Sequence, residues 1–163
     1  MLHIVTGDRD SGKSRFLMEH HESHPQGDGI IALKVFVEEK IVGYDAYFIG
    51  QNKRVPLMRY HDALPDDFPR GEKIGSFYYD AKTFMMMNAY LINLIQKKTS
   101  PLYVDEIGRL EFKGHGLDRV MKYGFHPDED VYLVIRDEFV REAISHYRLR
   151  PEEIIDVGAK RYV

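Results

Sequence analysis

Two apolar rhythms alternate along the chain. LHIVT (residues 2–6) is a short β-type run that stops at Gly7. IIALKVFV (30–37), PLYVDE (101–106), VYLVIR (131–136) and IIDVG (154–158) are further β-rich runs. Between them apolar residues recur at helical spacing. Phe16, Leu17 and His20 predict a helix over 13–22, starting near Gly12 or Lys13. Asp80 is placed to cap a helix running to Lys97, with Phe84, Met87, Leu91, Leu94 and Ile95 toward the core. EFVREAISHYRL (138–149) is amphipathic, and residues 116–123 are weakly helical. In residues 40–60, Val42, Tyr44, Ala46 and Phe48 alternate with less apolar partners, GQNK supplies a turn, and Val55–Met58 returns as a second strand, where Pro56 argues for an edge. HPQGDG (24–29) and the two-proline stretch 61–73 are expected to be loops, the latter exposed; Ile74–Tyr79 is expected to be a short strand or an extended entry. Strands alternating with helices predict an α/β fold: a mostly parallel sheet covered by helices on both faces, with an antiparallel β insertion at about 38–60.

Composition narrows the setting. At 163 residues the chain suits a single domain, 1–163, burying roughly 70% of its unfolded surface. A net charge of −3 offers no general attraction to nucleic acid or acidic lipid. Cysteine is absent, so no disulfide framework is expected. The N-terminus lacks a basic region followed by a long apolar run, and no apolar stretch approaches the ~20 residues of a membrane helix. These features predict a cytoplasmic protein without membrane or nucleic-acid partners; a protein partner or self-association is left open.

Chemistry enters at GDRDSGKS. Gly7, Gly12, Lys13 and Ser14 satisfy G-x-x-x-x-G-K-[ST], here between a predicted strand and a predicted helix. Such a loop converges backbone N–H groups on phosphate oxygens at a helix N-terminus. Gly7, Asp8, Arg9, Asp10, Ser11, Gly12, Lys13, Ser14 and Arg15 are therefore the candidate nucleotide-binding residues. Lys13 would reach the β- and γ-phosphates, and the Ser14 hydroxyl would ligate magnesium. Asp8 and Asp10 are out of place, because carboxylates repel a triphosphate. Asp10 can replace a glycine on conformational grounds, since aspartate tolerates the left-handed region, and Arg9 could offset some charge. Nucleotide binding weaker than in a loop of small residues is expected.

The strand PLYVDE ends in Asp105 and Glu106, about 90 residues after Lys13. A hydrophobic strand ending in aspartate supplies a second magnesium contact, and Glu106 would orient or deprotonate an attacking water. Asp105 to Gly108 also fits D-x-x-G, but no N-K-x-D guanine motif follows. Arg109 could reach the nucleotide, or pair with Glu106 or Glu111 at the surface; Arg136, Arg54 and Arg59 are further candidates. The histidines of EHHESH (19–24) are expected to be a solvated helix end, FMMM (84–87) core packing, and HPDEDV (126–131) a loop.

Together GDRDSGKS, VGYDAYFIGQNKRVPLMR, GEKIGSFYYDAKTF and YVDEIGRLEF resemble, in order and spacing, the small nucleoside-triphosphatases of thermophile type, a family that includes the vertebrate cancer-related nucleoside-triphosphatase. The resemblance runs to about residue 140, and DEIGRLE is its most specific part. It implies a RecA-like P-loop fold and hydrolysis of several nucleoside triphosphates with little base preference. Lys13, Glu106 and Arg109 become the implied catalytic residues, and Ser14 and Asp105 the implied Mg2+ ligands. The chain departs from the family pattern at Asp8, Arg9, Asp10 and Arg15. With no arginine assignable as a finger, turnover by the isolated chain is expected to be slow. A nucleotide-binding switch or adaptor, and a small-molecule kinase, are the competing readings.

Overall fold

The computed structural model describes residues 1–63, 68 and 73–158. Its elements are β1 (Leu2–Thr6), α1 (Lys13–Ser23), β2 (Asp28–Val37), β3 (Lys40–Phe48), β4 (Lys53–Tyr60), β5 (Lys73–Ile74), β6 (Phe77–Tyr79), α2 (Ala81–Gln96), β7 (Leu102–Ile107), α3 (Arg109–Phe112), α4 (Asp118–Tyr123), β8 (Val131–Ile135), α5 (Asp137–Tyr147) and β9 (Pro151–Asp156). Among the described residues the strands form one sheet in the order β5-β6-β4-β3-β2-β7-β8-β1-β9. The run from β2 to β9 is parallel, and the run from β2 out to β5 is antiparallel.

Period-two alternation within the parallel strands divides the core between two faces. Ile4, Ile30, Leu102, Val104, Leu133 and Ile135 point to one side, where α2, α4 and α5 bring Phe84, Met87, Leu91, Val120 and Ala143. Their neighbours Val5, Ile31, Tyr103 and Val134 point to the other, where α1 contributes Leu17. Burying each such side chain is worth roughly 1.5–3 kcal/mol, so face alternation fixes the register. Asp80 caps α2 by accepting from the Lys82 amide at 2.9 Å, a contact worth ~1 kcal/mol. The five core positions expected on this helix are all buried.

The topology places the site. β1 and β7 both pair with β8, with Val5 beside Val134 and Val104 beside Leu133. Gly7 and Asp105 therefore emerge at the same edge, one on each side of the end of β8. β7 pairs β2 only over Asp28–Ile30. The rest of β2 overhangs that edge as a hairpin with β3, carrying Ala32, Lys34 and Phe36 over the loop end of the sheet.

Several expectations change. Pro56 does not mark an edge strand: β4 pairs with β3 and, over Met58–Tyr60, with β6. Pro56 is tolerated because it stands at the β3–β4 register shift, beyond the reach of β6. The antiparallel part extends past residue 60, because Ile74–Tyr79 is a β5–β6 hairpin turning at Gly75, φ 55°, not one strand. Most of the expected exposed loop 61–73 lies outside the described residues; Phe68 within it is buried, 5.7 Å below the Arg59 guanidinium. FMMM divides: Phe84 and Met87 are core, whereas Met85 and Met86 are exposed. The EHHESH histidines are packed rather than solvated. His20 bonds the Tyr103 hydroxyl at 2.6 Å and stacks on His24 at 4.1 Å, and desolvation lowers its pKa. Among the described residues no helix is long and apolar enough to cross a membrane.

Candidate functional site

The loop after β1 is a closed nest. Gly7, Asp10 and Gly12 have φ of 154°, 61° and 98°, values that favour glycine. A Cβ on Gly7 would lie 2.4 Å from Ser11 Oγ. Gly12 caps α1 without a side-chain bond, so the first amides of the helix face the loop mouth. Lys13, only 7% exposed, donates from Nζ to Gly7 O at 3.2 Å and Asp8 O at 2.6 Å. Burial lowers its pKa, while Glu106 and Asp105 act in the opposite direction. The ammonium is thus held between the loop and the acidic pair.

Across the end of β8, Asp105 is 2% exposed. Its Oδ2 accepts from Ser14 Oγ at 2.7 Å and from the Ala32 amide at 3.1 Å. Its Oδ1 is buried with no protein partner. Burial, and then the Glu106 charge, hold this carboxyl well above the ordinary range. A divalent cation would reverse that penalty. The Ser14 hydroxyl and the unpartnered Oδ1 are hard oxygen donors, and the pair fits Mg2+, which typically takes one or two protein groups and completes its shell with phosphates and water. Among the described residues no cluster of three or more His, Cys, Asp or Glu side chains could hold a metal unaided.

The loop carboxylates are each accounted for. Asp10 occupies the left-handed region and pairs with Lys34 of the β2 overhang at 2.7 Å. The bond to Lys34 is the main reason its pKa is lowered. Arg9 donates to the Tyr60 hydroxyl at 2.9 Å, and its charge is a smaller contributor than Lys34 to the lowered Asp10 pKa. Asp8 faces Asp137, and hydrogen bonding and repulsion between the two raise its pKa. Lys34 is the residue that sequence reasoning missed; nothing in the sequence links positions 10 and 34 before β2 is folded over the loop.

The arginines separate by place. Arg136, ending β8, lies 3.7 Å from Glu106 Oε1 and 3.2 Å from Glu138 Oε1. Arg136 and Arg109 both lie over Phe139, at 5.3 and 5.6 Å from its ring centroid. Arg59 is buried, bonded to Asp45 at 2.8 Å and to the Tyr44 and Met58 carbonyls, and so braces the β insertion. Arg54 bonds the same aspartate at 3.2 Å. Arg15 is exposed at the rim of the cavity.

Of the two acids expected as surface partners for Arg109, Glu111 is not at the surface: it is 3% exposed. It accepts from the Gly108 amide at 2.7 Å and the Leu117 amide at 2.8 Å. Gly116 must be small here, since a Cβ would lie 2.0 Å from Glu111 Oε2. Burial pushes the Glu111 carboxyl up to about 7. The acidic end of DEIGRLE is therefore a clamp that fixes the turn carrying Glu106 and Arg109.

These groups border a cavity of about 810 Å³ between the loop, the β2 overhang, the β insertion and α2. A phosphate nest and a Ser–Asp pair facing each other across an intervening strand define a P-loop nucleotide-binding fold of RecA-like order. The sequence profile of a family described as NTPase matches residues 3–160, and the chain belongs to that family. Two solved structures share the fold. THEP1 from the hyperthermophile Aquifex aeolicus is 18% identical with a TM-score of 0.70, covering 99% of this chain and 92% of that one. A human cancer-related nucleoside triphosphatase is 15% identical with a TM-score of 0.59, covering 94% and 86%. No curated protein matches the chain in sequence.

Proposed function

We propose that this chain is a Mg2+-dependent nucleoside-triphosphatase that releases phosphate from ATP, GTP and related nucleotides slowly and with little base preference. Membership of the NTPase family supports the activity in general terms. The observation that carries the metal-dependent reading is the 2.7 Å contact between Ser14 and Asp105, with the buried Asp105 Oδ1 lacking a protein partner.

In this reading the loop amides and the α1 N-terminus hold the phosphate chain, and Lys13 turns its ammonium from the loop carbonyls to the β- and γ-oxygens. Asp105 and Ser14 would hold Mg2+, which would supply neutralisation of the charge developing on the phosphates. Glu106, exposed at the end of β7, accepts a hydrogen bond from water and aims it at the γ-phosphorus. Arg136 lies 3.7 Å from Glu106, and the Phe139 ring lies under both the Arg136 and the Arg109 guanidinium. Neither arginine is fixed on the loop, and a finger worth ~10³–10⁵ in rate is what the slow turnover would lack.

The test is phosphate release beside binding of a fluorescent nonhydrolysable triphosphate. Glu106→Gln is expected to lower release by roughly 10²-fold or more while binding changes little. Unchanged release would remove Glu106 from the mechanism; absence of Mg2+-dependent release by the wild type would remove the proposal.

A further inference from the structure

One arginine belongs to the phosphate loop itself, and its backbone is tied to Lys13. The Asp8 carbonyl that accepts from Lys13 Nζ at 2.6 Å is part of the peptide whose nitrogen is Arg9's own. The Arg9 Cα therefore stands one peptide away from the ammonium assigned above to the β- and γ-oxygens. The other arginines of this region are rooted elsewhere. Arg136 and Arg109 rest over Phe139, Arg54 and Arg59 are bonded to Asp45, and Arg15 follows Ser14 where α1 already leads away from the loop. The Arg9 side chain is exposed, and its guanidinium donates to the Tyr60 hydroxyl at 2.9 Å. Tyr60 first, and Tyr44 after it, raise the pKa of that group. Tyr44 also shows which way the arm faces. Burial and then the charge of Glu106 raise the Tyr44 phenol, and Arg9 acts on it in the opposite direction. Arg9, Tyr44, Lys13 and Glu106 border the same cavity.

A neutral hydroxyl is a weak partner for a guanidinium, whereas phosphate oxygens bind its planar fork with charge-assisted, paired hydrogen bonds. Resting on the nucleotide site proposed above, we infer that Arg9 is the arginine that neutralises the γ-phosphate during hydrolysis, and that the Tyr60 hydroxyl competes with the phosphate for it. The water oxygen bonds to the γ-phosphorus as the bond from that phosphorus to the bridging oxygen breaks. The nucleoside diphosphate leaves with the electron pair, and the water's proton passes to a nonbridging oxygen of the released phosphate. The guanidinium, turned off Tyr60, donates to the γ-oxygens through this step. Time spent on Tyr60 is time away from the phosphate, and that competition is the source of the slow turnover.

Opposite signs separate this role from a structural one. If the Arg9–Tyr60 bond only braced the loop against the β insertion, Arg9→Ala and Tyr60→Phe would break the same brace and shift activity in the same direction. A contested arginine gives the reverse. Single-turnover phosphate release from γ-labelled ATP should fall about 10-fold or more in Arg9→Ala and rise about 2- to 10-fold in Tyr60→Phe, the factor that one ordinary hydrogen bond carries. Tyr60→Phe keeps the ring, and with it the stack on Phe77 at 4.2 Å. Equilibrium binding with Mg2+ supplies a readout independent of turnover. The preference for AMPPNP over ADP should shrink in Arg9→Ala and grow in Tyr60→Phe, because only the triphosphate carries the γ-oxygens. Circular dichroism checks folding, and Arg9→Gln serves if the alanine variant does not fold. Two results overturn the inference: changes of the same direction in the two variants, or an AMPPNP-to-ADP preference that loss of Arg9 leaves at the wild-type value. Failure of the nucleotide site itself reads differently, as no AMPPNP binding by the wild type.

Discussion

Replacing Asp10 by glycine isolates the cost of an acidic phosphate loop. Asp10 holds φ 61°, a conformation that costs most L-residues about 1–2 kcal/mol, aspartate less, and glycine almost nothing. Its pair with Lys34 spans 2.7 Å, with side chains 49% and 36% exposed, so the pair itself contributes about 0–1 kcal/mol to stability. Folding should therefore be nearly unchanged. Binding should not be. A carboxylate ~6 Å from a phosphate charge repels it by ~0.7 kcal/mol at the dielectric of water and ~3 at an effective value of 20. Lys34 already cancels part of this, so a net gain of ~1–2 kcal/mol is expected, about 5- to 30-fold in Kd. Asp10→Gly also frees the Lys34 ammonium to face the ligand. The reverse variant, Lys34→Ala, leaves Asp10 uncompensated and should weaken binding by a similar factor. Titration of a fluorescent nonhydrolysable triphosphate into wild type, both single variants and the double variant completes a cycle. The order Asp10→Gly tightest, then wild type, then Lys34→Ala is expected, with differences shrinking in high salt. An Asp10→Gly protein that binds no more tightly than wild type would refute the electrostatic account of this loop.

Other outcomes can be measured directly. Asp105→Asn and Ser14→Ala should each weaken the Mg2+ dependence of nucleotide affinity, and EDTA should abolish phosphate release by the wild type; nucleotide titrations with and without Mg2+ check this. Glu111 has a folded pKa near 7, above the ordinary 4.5, so the unfolded chain releases this proton first. Its contribution to stability should fall as pH rises from about 4.5 to about 7 and then level off, and Glu111→Gln should flatten that part of a urea-denaturation pH series. Tyr147 donates to Glu111 O at 2.9 Å and Asp118 Oδ1 at 2.6 Å; Tyr147→Phe should cost ~1–3 kcal/mol in chemical denaturation. Leu91→Ala, at a fully buried position, should cost ~2–5 kcal/mol in the same assay.

Much of the fold was legible because local signals agreed. β1, α1 and α2 lie where period, glycine placement and the Asp80 cap put them. Elements held mainly by distant partners were harder to read. The four-residue α3 rests on the buried Glu111 clamp, and the β5–β6 hairpin rests on β4. Pro56 misled because a missing donor is also acceptable at a register shift. The histidines misled because polarity gives no hint of the tyrosine-lined surface that α1 covers.

By itself the sequence determined the phosphate-loop geometry, since glycines and an aspartate able to adopt positive φ stand between a strand and a helix. It also determined that an acidic pair would end a buried strand. Only the tertiary structure decided what those groups meet: Asp105 with Ser14 and Ala32, Asp10 with Lys34, Arg9 with Tyr60, Glu111 inside rather than outside. The physical reason is range. Backbone conformation is set within a few residues, whereas charge compensation and burial depend on which strands lie side by side, and strand order is a property of the packed sheet.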